Sequence, residues 1–224
     1  MEKWEHTVKS LSEVAVHSNV NNQLVSVKGI PNNYDCIGIG TDAAVFRSKV
    51  VPTYAFKVFS DDKLLKLEAE RTVYERLGKS PFFPMYHGSG ANFLVLSFIK
   101  GVTFYECLAN GIEIPKLAIN DIEKARMYAL DCGLNPRDIH LKNMILTEGR
   151  AKLIDVSEYL HPGSDHRWEL IKKGYHKYYE VIAGKKIPHS ILEMAKRTYN
   201  QSDPAHFNTD KLIKTLSKWL QMGA

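Results

Sequence analysis

The sequence lacks the features that mark membrane-spanning, secreted and disulfide-rich chains. The longest apolar stretch near its middle, interrupted by one serine, is FLVLSFI at 93–99, which is far too short to span a bilayer. The start, MEKWEHTVKS, has charges of both signs and no apolar core, so we expect no secretory signal. The 3 cysteines are scattered and have no metal-ligand spacing, which predicts reduced thiols and a cytoplasmic protein.

A dense block of basic residues is also missing. The 30 lysines and arginines are spread along the chain, and the net charge of +5 is modest, so nucleic-acid binding through a basic patch is disfavoured. One segment, RWELIKKGYHKYYEVIAGKK at 167–186, alternates basic and aromatic residues. It leaves two interpretations open: RNA binding by stacking, or an amphipathic helix that packs Trp168, Ile171, Tyr175 and Tyr179 inward, which we favour.

Short β-type runs dominate the first half of the chain, and helical patterns dominate the second. The predicted strands lie at 24–27, 35–40, 43–48, 53–59 and 93–99. Asp61 or Asp62 is predicted to cap a helix that runs to Leu77, and further helices are predicted from Lys116 to Asp131, from Trp168 to Ile182 and from Lys211 to Gln221. This order predicts an α+β protein with two lobes, 1–100 and 101–224.

Two features of the first half have two interpretations each. Gly38 and Gly40 stand where one β-type run turns into the next, which fits a hairpin or a backbone that approaches phosphate. Lys57, between apolar β-formers, either points to solvent from an edge strand or faces an anion.

Glu70 lies on the apolar face of its predicted helix. The helical period places it on one stripe with Leu67, Tyr74 and Leu77. A buried carboxylate is unfavourable unless a cation meets it, so we expect Lys57 as its partner. The pair is either a structural salt bridge or part of a binding site.

Three oxygen-bearing side chains follow one another in the second half of the chain. Asp138 and Asn143 occur in RDIHLKN, and Asp155 follows the apolar run in AKLIDVSEY. Asn and Asp oxygens suit Mg²⁺, which binds a few protein oxygens together with phosphate oxygens and water. Asp138 would then accept a proton from an attacking hydroxyl.

In this order, the motifs resemble those of protein kinase-like phosphotransferases, in particular small bacterial Ser/Thr kinase-like proteins, over roughly residues 35 to 160. GIGTDAAV resembles the glycine-rich loop, YAFK the strand that carries a phosphate-binding lysine, and RDIHLKN the catalytic loop. The resemblance implies a two-lobed fold with an antiparallel sheet and one helix in the first lobe, and a reduced helical second lobe like that of RIO-type kinases. It implies ATP and Mg²⁺ as cofactors.

The resemblance also implies a role for each matching residue. The implied catalytic residues are Asp138, Lys57, Glu70 and His140, and the implied magnesium ligands are Asn143 and Asp155. The implied nucleotide-binding residues are Gly38, Gly40, Ala43, Val45, Lys57, Ser97 and Ile99.

Several positions depart from the protein kinase pattern. Pro136 replaces a histidine, His140 replaces a lysine, and DVS replaces D-F-G. The spacing D-x-H-x-x-N is similar to aminoglycoside and choline kinases, and 69 residues (224 − 155) follow Asp155. We therefore expect ATP-dependent phosphoryl transfer to a hydroxyl, with a protein acceptor favoured over a small molecule. The alternatives are a small-molecule phosphotransferase and a non-catalytic nucleotide-binding protein; we expect neither RNA nor membrane as a partner.

Overall fold

The computed structural model describes residues 3–201 of the chain. The chain divides into two compact units, Met1–Lys100 and Gly101–Ala224. Both contain strands and helices, so the protein is of the mixed α+β type. Over the described residues, none of the helices combines the length and the apolar character that crossing a membrane requires. The helix predicted at Lys211–Gln221 lies outside the described residues.

The first unit is built on an antiparallel sheet. Its strands, β1 to β7, are Ala15–His17, Ser26–Lys28, Tyr34–Ile39, Ala43–Ser48, Tyr54–Phe59, Tyr86–Ser89 and Phe93–Ser97. In the main sheet the order is β3-β4-β5-β7-β6, and β1 and β2 form a separate hairpin. The helix α1 spans Leu64–Leu77 and follows a 3-10 turn at Asp61–Lys63. The predicted cap at Asp61 or Asp62 is therefore corrected, since the α-helix itself begins at Leu64.

The N-terminal segment covers one face of this sheet. Trp4, Leu11 and Val16 belong to the same buried cluster as Phe46 and Phe56 of the central strands. Residues 1–27 contain no motif with a readable chemistry. Removal of these side chains from water gives the segment a structural role in the first unit.

The second unit contains helices and a small sheet. Its helices α2 to α5 are Phe104–Asn110, Lys116–Asp131, Arg167–Ile182 and His189–Gln201. Its strands β8 to β10 are Val102–Thr103, Met144–Thr147 and Arg150–Leu153, in the antiparallel order β10-β9-β8. The expectation of a helical second half is thus incomplete, because short strands flank the predicted catalytic loop.

A buried ion pair fixes the α3 helix against this small sheet. Asp121 on α3 is 1% exposed, and its carboxylate accepts hydrogen bonds from Arg150 at 2.7 Å and from the Ala151 amide at 3.1 Å. These hydrogen bonds lower the pKa of Asp121 against the effect of its burial. The acid is therefore kept ionised by structural contacts.

Candidate active site

In the first unit, Lys57 and Glu70 form a close ion pair. Lys57 lies on the central strand β5, and Glu70 lies on the buried face of α1. The ammonium Nζ is 2.6 Å from Oε2 and 2.9 Å from Oε1 of the carboxylate. The Glu70 side chain is fully buried, while 11% of the Lys57 side chain remains exposed. The pair therefore fixes the direction of the Lys57 side chain. That the Lys57 ammonium also binds phosphate stays a prediction.

The glycine-containing segment forms a hairpin between β3 and β4. The Gly40 amide donates to the Ala43 carbonyl at 2.8 Å, and Gly38 pairs with Val45 next to a bulge in β3. On its other side, Val45 pairs with Lys57. A side chain at Gly38 would make only an ordinary contact with Val45, so packing alone does not require glycine there. Phosphate binding by this hairpin stays a prediction.

Two of the implied nucleotide-binding residues, Ser97 and Ile99, lie at the end of β7 and just after it. The Ser97 amide donates to the Met85 carbonyl and the Phe98 amide to the Thr53 carbonyl, both at 2.8 Å. The Ser97 hydroxyl lies 2.9 Å from Nε2 of His87. Since the amides of Ser97 and Phe98 are engaged within the unit, Ile99 is the better candidate for a hydrogen bond to a base.

In the second unit, a β-hairpin explains the spacing between Asn143 and Asp155. Met144 at the start of β9 pairs with Leu153 at the end of β10, so the residues just outside both strands are neighbours. The Ile154 amide donates to the Asn143 carbonyl at 2.9 Å. The hairpin therefore brings the Asp155 segment beside the loop that carries Asp138.

The Asp138 loop is fixed by hydrogen bonds from several sides. The Asp138 amide donates to Oδ2 of Asp165 at 2.7 Å, and the Asp138 carboxylate accepts from Nη1 of Arg167. Nδ2 of Asn143 donates to the Asp138 carbonyl at 3.1 Å, and the Asn143 amide donates to the His140 carbonyl at 2.8 Å. The Asn143 side chain is consequently held in one orientation, with its oxygen directed away from this contact.

Both acids predicted for the site have an unusual backbone. The φ angle is 56° at Asp138 and 63° at Asp155. Residues with a side chain adopt this left-handed region infrequently, although aspartate tolerates it better than most. Such strain persists where surrounding contacts hold it, and it concentrates at functional sites. The observation favours a functional role for both residues.

Burial and neighbouring charges determine the protonation of Asp138. Burial raises the pKa of its carboxyl to about 6, and the negative charges of Asp155, Asp165 and Glu158 act in the same direction. The Arg167 guanidinium opposes this rise. A carboxyl with a pKa near 6 is ionised at pH 7 and is more basic than an exposed aspartate, which suits a general base.

His140 lies beside this carboxylate and is neutral. Burial and the Arg167 charge lower the pKa of His140 to about 4, although Asp155 opposes the shift. Nε2 of His140 is 3.8 Å from Oδ2 of Asp138, beyond hydrogen-bond range. The catalytic role implied for His140 stays a prediction, and at pH 7 it would be carried out by a neutral ring.

We expect the His140 ring to remain neutral at pH 5.5. Its pKa is lowered in the folded chain, so this group stabilises the fold fully above pH 6.5, and the contribution is lost as pH falls towards 4. The NMR chemical shifts of the ring, assigned by comparison with His140→Gln, measure this directly. A titration midpoint near 6.5 would contradict a pKa lowered by partial burial and the Arg167 charge.

Arg167, like Asp165, contacts Asp138 although no motif in the sequence predicts it. It is the first residue of α4, and its guanidinium contacts Asp138 across 29 positions of the sequence. The sequence offered one indirect signal: without a lysine at position 140, a cation beside Asp138 has to come from elsewhere in the chain.

The donor set of the second unit fits a magnesium ion. The side-chain oxygens of Asn143 and Asp155 are hard ligands for Mg²⁺. The side-chain amide of Asn143 is held by the hydrogen bond from its Nδ2 to the Asp138 carbonyl. No group of three or more His, Cys, Asp or Glu residues within residues 3–201 is arranged to hold a metal. Mg²⁺ does not require one, because substrate phosphates and water complete its coordination.

A cavity of about 380 Å³ lies within the second unit. Apolar and aromatic side chains line most of it, among them Phe104, Leu108, Ile119, Ile171 and Ile187. His140, Lys142 and Arg167 also contribute, so the cavity reaches the Asp138 loop. Four acids of the same part of the chain are not among its lining residues: Glu158, Asp165, Glu169 and Glu180.

The basic and aromatic α4 helix packs its aromatic side chains against the second unit. Trp168 is buried and donates from Nε1 to Glu123 at 2.7 Å. Tyr175 donates from its hydroxyl to the Ile114 carbonyl at 2.8 Å, and its ring stacks on that of Tyr179 at 4.4 Å. These contacts support packing over base stacking as the explanation of the pattern.

Fold and site together are compatible with a phosphotransferase of the protein kinase type. No family model matches the chain. The chain is similar to a protein of Bacillus subtilis (strain 168) named "Putative serine/threonine-protein kinase YrzF", with 36% identity over 184 residues. The match covers 81% of this chain and 86% of the relative. The chain therefore belongs to the protein kinase-like family.

Proposed function

We propose that the protein transfers the γ-phosphoryl group of ATP to a serine or threonine hydroxyl of a protein. The observation that carries the proposal is the grouping of Asp138, Asn143 and Asp155 in the second unit, with two of the three on strained backbone. The name of the Bacillus subtilis relative supports the same activity and acceptor class.

Each unit supplies part of the proposed machinery. In the first unit, Lys57, directed by Glu70, holds the α- and β-phosphates, while Gly38, Gly40, Ala43 and Val45 contact the nucleotide together with Ile99. In the second unit, Asn143 and Asp155 would hold the magnesium ion, which would neutralise negative charge on the phosphate oxygens when bound.

Asp138 acts as the general base in this proposal. The acceptor oxygen forms a bond to the γ-phosphorus while the bond to the ADP oxygen breaks, and the hydroxyl proton passes to the Asp138 carboxylate. The carboxylate is ionised at pH 7 because its pKa is about 6. Positioning and charge neutralisation account for most of the rate enhancement in such a transfer.

Transfer of label from γ-labelled ATP tests the proposal. The full chain is incubated with MgATP and a generic protein acceptor, with a panel of amino- and hydroxyl-bearing small molecules, or alone. The proposal predicts labelled protein that disappears with Asp138→Ala. Labelled small molecules alone would indicate the alternative acceptor class, and nucleotide binding without transfer would indicate a non-catalytic protein.

The cavity bears on the small-molecule alternative. A kinase for cationic metabolites is expected to bind them through acidic side chains, whereas the cavity beside the Asp138 loop is mainly apolar and includes Lys142 and Arg167. This lining does not favour a cationic acceptor.

A further inference from the structure

Arg167 is fixed in place by contacts on several sides. Its guanidinium donates to Oδ1 of Asp138, and its Nε lies 3.6 Å from Oδ2 of Asp165. Its own backbone amide donates to Oδ1 of Asp165 at 3.2 Å. The ring of Tyr199, from α5, lies 5.3 Å from the guanidinium carbon, and the Tyr199 hydroxyl donates to the Asp165 carbonyl. The guanidinium therefore lies against Asp138, Asp165 and Tyr199 at once.

The contact with Arg167 places the two carboxylate oxygens of Asp138 in different environments. Oδ1 accepts from Arg167, and the Asp138 amide is held by Asp165. Nε2 of His140 lies 3.8 Å from Oδ2, which is too far for a hydrogen bond. One oxygen is thus fixed and the other remains able to accept a proton.

The other basic side chains near the loop are engaged elsewhere. Nζ of Lys142 is 3.1 Å from Glu193 and lies over the ring of Tyr105. Arg137 donates to the Pro162 carbonyl at 2.6 Å, and Nε2 of His140 lies 3.8 Å from the Asp138 carboxylate, beyond hydrogen-bond range. Within residues 3–201, Arg167 is the permanent cation in direct contact with the Asp138 carboxylate.

We propose that Arg167 is a positioning residue for Asp138, an inference that rests on the proposed function. By fixing Oδ1, the guanidinium directs Oδ2 towards the acceptor hydroxyl. Arg167 stays protonated throughout, and the hydroxyl proton goes to Oδ2 of Asp138 as the oxygen–phosphorus bond forms and ADP leaves. A guanidinium suits this role because its planar set of donors holds a carboxylate in a defined orientation.

The test compares Arg167→Met and Arg167→Lys with a matched control, Arg126→Met. Arg126 on α3 also pairs with α4, through Glu169 at 3.1 Å, but it does not contact Asp138. We expect Arg167→Met to lower kcat about a hundredfold with an unchanged KM for MgATP, since only the orientation of the base is lost. Arg167→Lys should recover part of the loss, and Arg126→Met should behave like the wild type.

Thermal melts of all three variants separate positioning from folding. A melting temperature close to that of the wild type in Arg167→Lys, together with a reduced kcat, supports positioning. Equal losses of kcat in Arg167→Met and Arg126→Met would show that Arg167 only holds α4 in place, and would overturn the inference. Faster transfer by Arg167→Met would overturn it as well, because the guanidinium would then obstruct the base.

The same assay distinguishes failure of the inference from failure of the proposed function. If Asp138→Asn is inactive while Arg167→Met matches the wild type, the inference alone is wrong. If the wild type transfers no phosphoryl group to any acceptor, the proposed function and the inference that rests on it are both wrong.

Discussion

Replacement of Asp138 by asparagine is expected to lower kcat about a thousandfold. The amide has the size of the carboxyl but cannot accept the hydroxyl proton, and general base catalysis contributes roughly 10² to 10⁴ in rate. The loop should keep its shape, because the side chains of Asn143 and Asp165 bond to the backbone carbonyl and the backbone amide of residue 138. The substitution changes neither backbone group. Initial rates with γ-labelled ATP measure the effect.

The control for this variant is Asp35→Asn. Asp35 is an exposed aspartate that pairs with Lys49 at 3.1 Å, so the control makes the same chemical change away from the site. We expect wild-type rates from the control. Retention of more than about a tenth of wild-type kcat by Asp138→Asn would remove Asp138 from the role of base, given the size of such effects.

The pH dependence of the wild type gives a second measure of the same group. Asp138 has to be ionised to accept a proton, and its pKa is raised to about 6. Activity should therefore fall as pH is lowered through about 6, well above the range of an exposed aspartate. A kcat/KM profile that stays flat down to pH 5 would contradict this assignment.

Replacement of Lys57 by methionine is expected to destabilise the protein by about 3–5 kcal/mol, because it removes one partner of a buried ion pair. Glu70 is fully buried, and its carboxylate would lose the ammonium 2.6 Å away. Urea unfolding followed by circular dichroism measures the change. The variant should also lose affinity for MgATP, since Lys57 is proposed to hold the phosphates.

The double variant Lys57→Met, Glu70→Leu separates these two effects. An apolar residue on the buried face of α1 removes the uncompensated charge, so much of the stability should return while nucleotide binding stays lost. If the double variant regains affinity for MgATP along with stability, Lys57 has only a structural role.

The ion pair of the first unit could be predicted from helix periodicity. An acid on the apolar stripe of a helix has to meet a cation, and the nearest lysine on a strand proved to be its partner, Lys57 for Glu70. The same reasoning applies to Asp121, which lies on the buried face of α3 and binds Arg150, a pair that was not predicted. The position of an acid on a helix face thus predicts a partner, but not whether the pair is structural or functional.

Local signals were also present for the missed α2 helix. Thr103 and Glu106 form a capping box, whose spacing is readable in the sequence. The helix has only 7 residues, too short for the periodic pattern on which the other helix predictions relied.

The environment of Asp138 could not be predicted in the same way. Arg167 and Asp165 reach it from the start of α4, and Tyr199 supports them from α5. These contacts depend on tertiary packing between elements far apart in sequence, which motif spacing does not encode. Motifs could therefore indicate the base and the magnesium ligands, whereas the residue that orients the base required the structure.

Calorimetric titration with MgATP tests most directly the claim that this chain binds a metal-bound nucleotide for phosphoryl transfer. The account predicts saturable binding to the wild type that requires Mg²⁺, equal binding to Asp138→Asn, and strongly weakened binding to Asp155→Asn. Absence of heat with the wild type, or equal and magnesium-independent binding by Asp155→Asn, would contradict it.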